Sequence, residues 1–144
     1  MRGCFFTLCA ALALTAVAGC GPRKGVVYGV VTLDGKPLEV DDGDIQFFPA
    51  DGDAPTRGGK LNKDGSYRIT DVTPTKMKVV INASRVVGHR KRYENVPDSP
   101  MDEIWEAVLP ARYCDRNMTE LSFTVVPGDN KKDFDLTSDA KKSR

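Results

Sequence analysis

The hydrophobic pattern divides the chain into two parts. Residues 4–17 form an uncharged apolar run that follows Arg2, whereas from Val26 onward apolar and polar residues alternate in short runs. The first run is shorter than the roughly 20 residues of a membrane-spanning helix and has the length of the apolar region in a secretory signal. Alternation with a period of two predicts β-strands. The sequence therefore predicts an exported β protein.

The alternating runs predict a series of short strands bounded by Gly, Asp and Pro. The predicted strands are Val26–Leu33, Ile45–Pro49, Ser66–Thr70, Lys76–Ile81, Leu121–Val125 and Phe134–Leu136. The Asp34-Gly35 and Asp64-Gly65 pairs predict tight hairpin turns, because glycine adopts positive φ without strain. The turn at residues 127–130 predicts a final hairpin. About seven short strands with almost no helix predict one all-β, seven-stranded sandwich over residues 26–136.

Residues 82–119 interrupt this pattern, and we expect a long insertion there that contains a short helix. Ser99 has the residue type of a helix cap, and Pro100 suits the first helical position. The apolar residues that follow have helical spacing and should pack against the sandwich. These residues are Met101, Ile104, Trp105 and Val108, and Pro110 should end the helix. The flanking residues 20–25 should form a tether, and residues 137–144 a disordered tail.

The apolar run ends in a short motif with a specific chemistry. Val17-Ala18-Gly19-Cys20 matches a bacterial lipobox, in which cleavage between Gly19 and Cys20 follows transfer of diacylglycerol to the cysteine thiol. The alternatives are an ordinary cleaved signal or an uncleaved anchor. The abrupt change to polar residues at 21–24 favours the lipobox. Gly21, in place of an aspartate, favours the outer membrane, so we expect a lipid-anchored protein of the cell envelope.

Removal of residues 1–19 changes the composition that matters. Cys4 and Cys9 leave with the signal and Cys20 is acylated, so Cys114 is left unpaired and we expect it to fill space in a half-buried position. Because Arg2 is the one charged residue removed, the 21 Lys and Arg residues fall to 20, against 20 Asp and Glu. A nearly neutral domain does not indicate a nucleic-acid partner.

Several turn and strand motifs, taken in order, resemble a known family. Residues 27–38 (VYGVVTLDGKPL) resemble the first strand and turn of carboxypeptidase regulatory-like domains, and residues 45–49 (IQFFP) and 63–67 (KDGSY) resemble their next motifs. Residues 109–113 (LPARY) and 130–136 (NKKDFDL) resemble the ends of small bacterial lipoproteins built on this module. The resemblance implies a Greek-key, transthyretin-like sandwich that serves as an accessory module and carries no catalytic residues. Pro74-Thr75-Lys76 departs from the family's usual turn.

The candidates for catalysis or metal binding are few. A zinc site needs three or four ligands, and His89 and Cys114 are the only side chains of the usual types that remain. The same two residues could form a nucleophilic pair, but no motif around them supplies an orienting group. Weak Ca²⁺ binding is conceivable at the acidic residues 41–44 and 51–53, although solvated turns also favour Asp and Gly. We therefore expect a protein that is not an enzyme and has no cofactor or metal.

The insertion holds the best candidates for a binding surface. A basic cluster is followed by acidic residues, which indicates either a loop whose charges pair with one another or a contact surface for an anionic envelope component or a partner protein. Long irregular segments on rigid sandwiches often carry recognition. The candidate residues are Arg85, His89, Arg90, Lys91, Arg92, Tyr93, Trp105 and Tyr113. We expect a structural or interaction module, or alternatively a glycan- or peptide-binding module that uses residues 82–119.

Overall fold

A computed structural model describes residues 23–138 as an all-β protein in which two sheets pack face to face. The predicted signal peptide (residues 1–19), Cys20 and most of the predicted tether lie outside the described residues. Residues 139–144 of the predicted tail also lie outside them. The described strands are β1 (Gly25–Leu33), β2 (Lys36–Pro37), β3 (Asp42–Pro49), β4 (Arg57–Lys60), β5 (Ser66–Val72), β6 (Lys76–Lys91), β7 (Met101–Ala107), β8 (Ser122–Thr124), β9 (Gly128–Lys131) and β10 (Phe134–Leu136), and a short helix, α1, covers Ala111–Cys114.

The first sheet is built around β1. This strand pairs antiparallel with β5 and β2 and parallel with β9 and β10. The predicted hairpin turn after β1 is confirmed: Asp34 and Gly35 both have positive φ, 52° and 82°. Positive φ at both central residues is the geometry of a tight two-residue hairpin, and it suits an Asp-Gly pair.

The second sheet has the order β4-β3-β6-β7, and β8 also pairs with β6. Strand β6 is its longest member, with 16 residues. Its first half, up to Ser84, pairs with β3 and β8, and its second half pairs with β7 alone. This division of β6 determines the shape of the candidate site.

The core lies between the two sheets, as the alternation predicts. Inward residues of β1 and β5 meet those of β3 and β6, and Phe47, Tyr67 and Phe134 form an aromatic group with ring centroids 6.1–6.5 Å apart. The Tyr67 hydroxyl donates a hydrogen bond of 2.5 Å to the Lys132 carbonyl. Burial raises the pKa of Tyr67 well above its ordinary value. Such a tyrosine combines apolar burial with a satisfied polar end.

Two predicted hairpins are sheet-to-sheet connections instead. The turn before Ser66 forms, with Gly65 at φ 76°. However, β4 pairs with β3 in one sheet and β5 with β1 in the other. Likewise, β8 pairs with β6, whereas β9 and β10 pair with β1. A turn signal fixes the local reversal of the chain, but packing decides which sheet receives the next strand.

The prediction of an irregular insertion with a helix at Ser99–Pro110 is wrong. Strand β6 continues ten residues past Ile81 to Lys91, and residues 101–107 are strand β7, paired with it. The backbone groups of β6 beyond Ser84 have no other neighbouring strand, and pairing with β7 satisfies them. A helix of fewer than three turns between Pro100 and Pro110 would be marginal by itself. Pro110 immediately precedes α1, as its N-cap residue, instead of ending a helix.

Candidate functional site

The second half of β6 and all of β7 form a two-stranded ribbon, which we define as residues 85–106 with the connecting loop. The pairing between β3 and β6 stops at Ser84, so beyond this residue the ribbon consists of β6 and β7 alone. An isolated two-stranded hairpin is only marginally stable in water. A bulge between Val86 and Gly88 interrupts its register. Bulges often re-aim side chains at functional places.

The ribbon carries large apolar side chains that no other described element covers. The sequence-predicted apolar stripe was expected to pack against the sandwich, and this expectation is wrong for Met101, Ile104 and Trp105, which lie on β7. The exposed set is Val87, Tyr93, Val96, Met101, Ile104 and Trp105, each 40–58 % exposed. Apolar side chains concentrated on one projecting element are typical of interaction surfaces.

The charges of the ribbon face one another across the two strands. Arg85 lies opposite Glu106, His89 opposite Glu103 and Arg90 opposite Asp102 in the strand register. One close ion pair forms at the end of the ribbon, where Arg92 Nη2 lies 2.7 Å from Asp102 Oδ1. The hydrogen bond from Arg92 lowers the pKa of Asp102, and charge attraction from Arg92 and Arg90 adds to the shift. Arg92 is exposed and Asp102 is partly exposed, so water screens much of this attraction.

The loop at the end of the ribbon is closed by hydrogen bonds. The Arg92 N–H donates to the Pro100 carbonyl at 2.9 Å, and the Tyr93 N–H donates to the Ser99 hydroxyl at 2.8 Å. Ser99, predicted to cap a helix, is buried and holds this loop. The loop therefore places the exposed ring of Tyr93 at the end of the ribbon.

Seven of the eight candidate binding residues lie on the ribbon, and Tyr113 does not. Tyr113 belongs to α1, where its hydroxyl accepts a hydrogen bond from the Thr137 N–H at 3.2 Å and its ring lies under Arg112. Desolvation raises the pKa of Tyr113, but hydrogen bonds with Thr137 and the nearby Arg112 outweigh it, and the pKa is lowered. These contacts also hold Thr137, the first residue of the predicted tail.

The structure does not bring His89 and Cys114 together. Cys114 is half-buried, and its Sγ donates to the Pro110 carbonyl at 3.7 Å. Burial, followed by the charge of Asp44, raises the pKa of the thiol. Asp44 pairs with Asn82 on β6, and His89 lies seven residues further along that strand, or about 23 Å. A thiol with a raised pKa is a poor nucleophile.

The acidic residues 41–44 are used within the fold. The Asp41 carboxylate accepts the Val86 N–H at 3.0 Å, Asp42 pairs with Lys60 at 2.6 Å, and Asp44 accepts Gln46 Nε2 at 2.8 Å. The expected acidic loop is also shorter than predicted, because β3 begins at Asp42. Among residues 23–138, no three His, Cys, Asp or Glu side chains are grouped as a metal site would require.

Sequence reasoning missed several residues of the ribbon. Val86 and Val87 lie within the predicted insertion, although two adjacent β-branched residues favour a strand. Met101 and Ile104 were assigned to the buried side of a helix. Polar and apolar residues do not alternate along residues 102–106, so the sequence carries no period-two strand signal there, whereas the spacing of Met101, Ile104 and Trp105 fits a helix.

The ribbon lies at the end of the sandwich opposite to the start of β1. Gly25 pairs with Val72, and a three-residue connection leads from there to Lys76, the first residue of β6. The other end of β1, at Leu33, lines a surface depression together with Arg85 and Val108. Sixteen strand residues span about 50 Å. The ribbon therefore points away from the place where residues 23–25 enter the fold. Within the described range, no helix is long and apolar enough to span a membrane.

Comparisons with known proteins assign no family. No protein-family model matches the chain, and no curated protein matches it. One similar solved structure is the dioxygenase domain of a dioxygenase and carbohydrate-binding protein fusion from Streptomyces sp. SirexAA-E, with 16% identity, a TM-score of 0.38 and 96% of each chain covered. Another is a 9R-lipoxygenase from Cyanothece PCC8801, with 11% identity, a TM-score of 0.28, and 81% of this chain and 16% of that chain covered. At these values, neither similarity assigns an activity.

Proposed function

We propose that this chain is a non-enzymatic, lipid-anchored protein of the cell envelope whose sandwich presents the ribbon as an interaction surface. The observation that carries the proposal is the ribbon itself: it extends beyond the sheet and exposes Trp105, Ile104 and Met101 to solvent. A marginally stable two-stranded element with a large apolar surface is stabilised when a partner covers it.

The anchor is proposed from residues 17–20, which lie outside the described residues. Cys20 would carry the acyl chains, and each buried CH₂ group contributes about 0.8 kcal/mol to membrane binding. Residues 23–25 enter the sandwich at the end opposite to the ribbon. An anchor at Cys20 would therefore leave the ribbon facing away from the membrane, which we propose to be the outer membrane.

The finer fold class also belongs to the proposal. We propose that the two sheets, whose described residues form ten strands, are an elaborated form of the seven-stranded, Greek-key, transthyretin-like sandwich of the carboxypeptidase regulatory-like class. Support comes from the Asp34-Gly35 turn after β1, the second turn at Gly65, and the aromatic group around Phe47, which all fall in the motifs that resemble this class. In that class the module accompanies other activities, which is consistent with a role in interaction.

A second candidate, a glycan- or peptide-binding module, has support from the aromatic residues on the ribbon. Tyr93 and Trp105 both expose about half of their surface. His89 and Lys91 lie on β6, the strand that pairs with β7, and supply polar groups nearby. Aromatic rings with nearby polar groups suit ligands that have both apolar and polar faces. Tyr113 does not belong to this surface.

The proposal is tested in cells with two variants. Cys20→Ala should move the protein from the membrane fraction to the soluble fraction, because the acyl chains are lost. Replacement of residues 86–105 by Asn-Gly should leave the protein in the membrane fraction and remove its crosslinks to envelope partners. Membrane retention of Cys20→Ala would contradict the anchor, and unchanged crosslinks after ribbon replacement would contradict the interaction surface.

A further inference from the structure

We propose that the outer edge of β7 binds an extended segment of a partner protein as an added antiparallel strand, with basic and apolar side chains facing β7. The inference rests on the proposed function of the ribbon and specifies which part of the ribbon binds and what kind of partner it takes. Strand β7 is the last strand of its sheet, and among residues 23–138 no strand pairs with its outer side.

The hydrogen bonds show which backbone groups of β7 face outward. The Val86 N–H points away from β7, because it donates to Asp41, and Trp105 lies directly opposite Val86. In an antiparallel pair, two such opposed residues both direct their backbone groups outward. At the other end of the ribbon, the Arg92 N–H donates to the Pro100 carbonyl, so the backbone groups of this pair face inward. Met101, the next residue after Pro100, therefore directs its backbone groups outward. The outward N–H and C=O groups therefore belong to Met101, Glu103, Trp105 and Ala107.

The side chains along this edge define the chemistry of the partner. Asp102, Glu103 and Glu106 are acidic, and β7 has no basic residue. Among the described residues, Glu103 and Glu106 make no ion pair, whereas Asp102 pairs with Arg92. Opposite charges across a strand pair stabilise it, and like charges destabilise it. A partner strand with basic residues opposite these three carboxylates, and apolar residues opposite Met101, Ile104 and Trp105, fits the edge.

The inner edge of β7 already shows this complementarity. From Arg85 to Lys91, strand β6 places basic side chains or histidine opposite the three acidic residues, and Val86 opposite Trp105. Strand β6 thus resembles what the outer edge would accept, apart from Lys91, which lies opposite Met101. The partner segment, from the residue opposite Glu106 to the one opposite Met101, would read basic, apolar, apolar, basic, basic, apolar.

A second copy of this chain does not fit the outer edge. Only β6 of another ribbon has the complementary sequence, and pairing it with β7 would place neighbouring ribbons about 10 Å apart. Each ribbon is attached to a five-stranded sheet in a two-sheet sandwich, which is wider than that spacing. Pairing β7 with another β7 would bring six carboxylates to one edge. A separate protein that offers an extended segment meets neither obstacle.

The test uses Trp105 as a reporter, since it is the single tryptophan of the chain. The full chain, as purified from expressing cells, is titrated with the peptide acetyl-Lys-Val-Val-Lys-Lys-Val-amide while tryptophan emission is recorded. We expect a saturable blue shift as the peptide covers the half-exposed indole. The matched peptide acetyl-Glu-Val-Val-Glu-Glu-Val-amide should bind at least about tenfold more weakly, because like charges then face one another at three positions.

Two variants at one position separate the hydrogen bonds from the charge. Glu103→Pro removes an outward N–H and leaves the bonds between β7 and β6 in place, because proline is tolerated at an outward-facing edge position. This variant should lose saturable binding of the lysine peptide, while its own emission stays that of the parent. Glu103→Gln keeps the N–H and removes the charge, so it should bind about threefold more weakly.

Three results would overturn the inference. These are equal binding of the two peptides, undiminished binding by Glu103→Pro, and a blue shift that depends on protein concentration alone and coincides with dimers in analytical ultracentrifugation. If the ribbon replacement still removes partner crosslinks in cells, such a result refutes strand addition at β7 and leaves the proposed function of the ribbon standing.

Discussion

At the scale of single residues, Tyr67 shows how a polar group is accommodated in this core. Its ring packs against those of Phe47 and Phe134, and its hydroxyl donates to the Lys132 carbonyl. We expect Tyr67→Phe to lower the free energy of unfolding by about 1–2 kcal/mol, because the carbonyl loses its donor. Urea unfolding measures this change. Tyr93→Phe, on the exposed ribbon loop, is the matched control and should leave stability unchanged; equal effects of the two substitutions would refute this account.

Two glycines should respond in opposite ways to an added methyl group. A Cβ at Gly29 would meet the Lys132 carbonyl carbon at 2.6 Å, whereas a Cβ at Gly88 would meet Ile104 Cδ1 at 3.7 Å. Gly29→Ala should therefore lower the unfolding free energy by about 3 kcal/mol, because a backbone atom must move. Gly88→Ala should change it little. Chemical denaturation of both variants checks the difference, and a stable Gly29→Ala variant would show that β1 and residue 132 are further apart.

The Arg92–Asp102 ion pair gives a prediction about pH. The pKa of Asp102 is lowered in the folded protein from its ordinary 3.8, mainly by the hydrogen bond from Arg92. The pair therefore stabilises the ribbon above the ordinary carboxyl pKa, and this contribution is lost as the pH falls through the lowered value. Arg92→Gln should raise the pKa of Asp102 toward 3.8, as measured by NMR titration of the carboxyl group. Lys60→Gln, at the Asp42 pair, should leave Asp102 unaffected.

At the scale of elements, the ribbon and the sandwich should be separable. None of the core residues lies between 85 and 106, and Arg85 and Glu106 face each other as a hydrogen-bonded pair of the two strands. A two-residue turn can join such positions. We expect the chain with residues 86–105 replaced by Asn-Gly to unfold cooperatively within a few degrees of the parent midpoint, as followed by circular dichroism. Loss of the cooperative transition would show that the ribbon supports the core.

The same elements show how far sequence predicts this fold. Strands with one clearly buried face, such as β1 and β3, follow from alternation, and the Asp34-Gly35 turn follows from its residue types. The ribbon did not follow, because both of its faces are wet and alternation then carries no information about burial. The spacing of Met101, Ile104 and Trp105 is typical of a helix. The segment forms a strand because it pairs with the backbone groups of β6 that no other described strand satisfies.

The candidate site was predicted in part for the same reason. The basic and aromatic residues of the predicted insertion indicate a binding surface within Arg85–Tyr93 and at Trp105, and these residues lie on one ribbon. Tyr113 was grouped with them by sequence proximity, yet α1 holds it against Thr137. Strand pairing brings residues together across the turn, and only the register shows that Trp105 faces Val86 and that Glu106 faces Arg85.

At the scale of the whole molecule, the proposed anchor and the ribbon belong to opposite ends of one sandwich. The proposed anchor precedes Gly25, and β6 extends from that end past β3 to a ribbon with exposed apolar residues. Such a protein would hold a recognition strand about 50 Å from the place where the chain enters the fold. The ribbon is held away from the membrane in this way only if Cys20 is lipidated.

The most direct test is therefore the intact mass of the protein extracted from the membrane fraction, together with its N-terminal peptide. We expect a chain that begins at Cys20, lacks residues 1–19, and carries diacylglycerol on the cysteine sulfur. A mature chain that begins at another residue, or one that begins at an unmodified Cys20, would contradict this expectation.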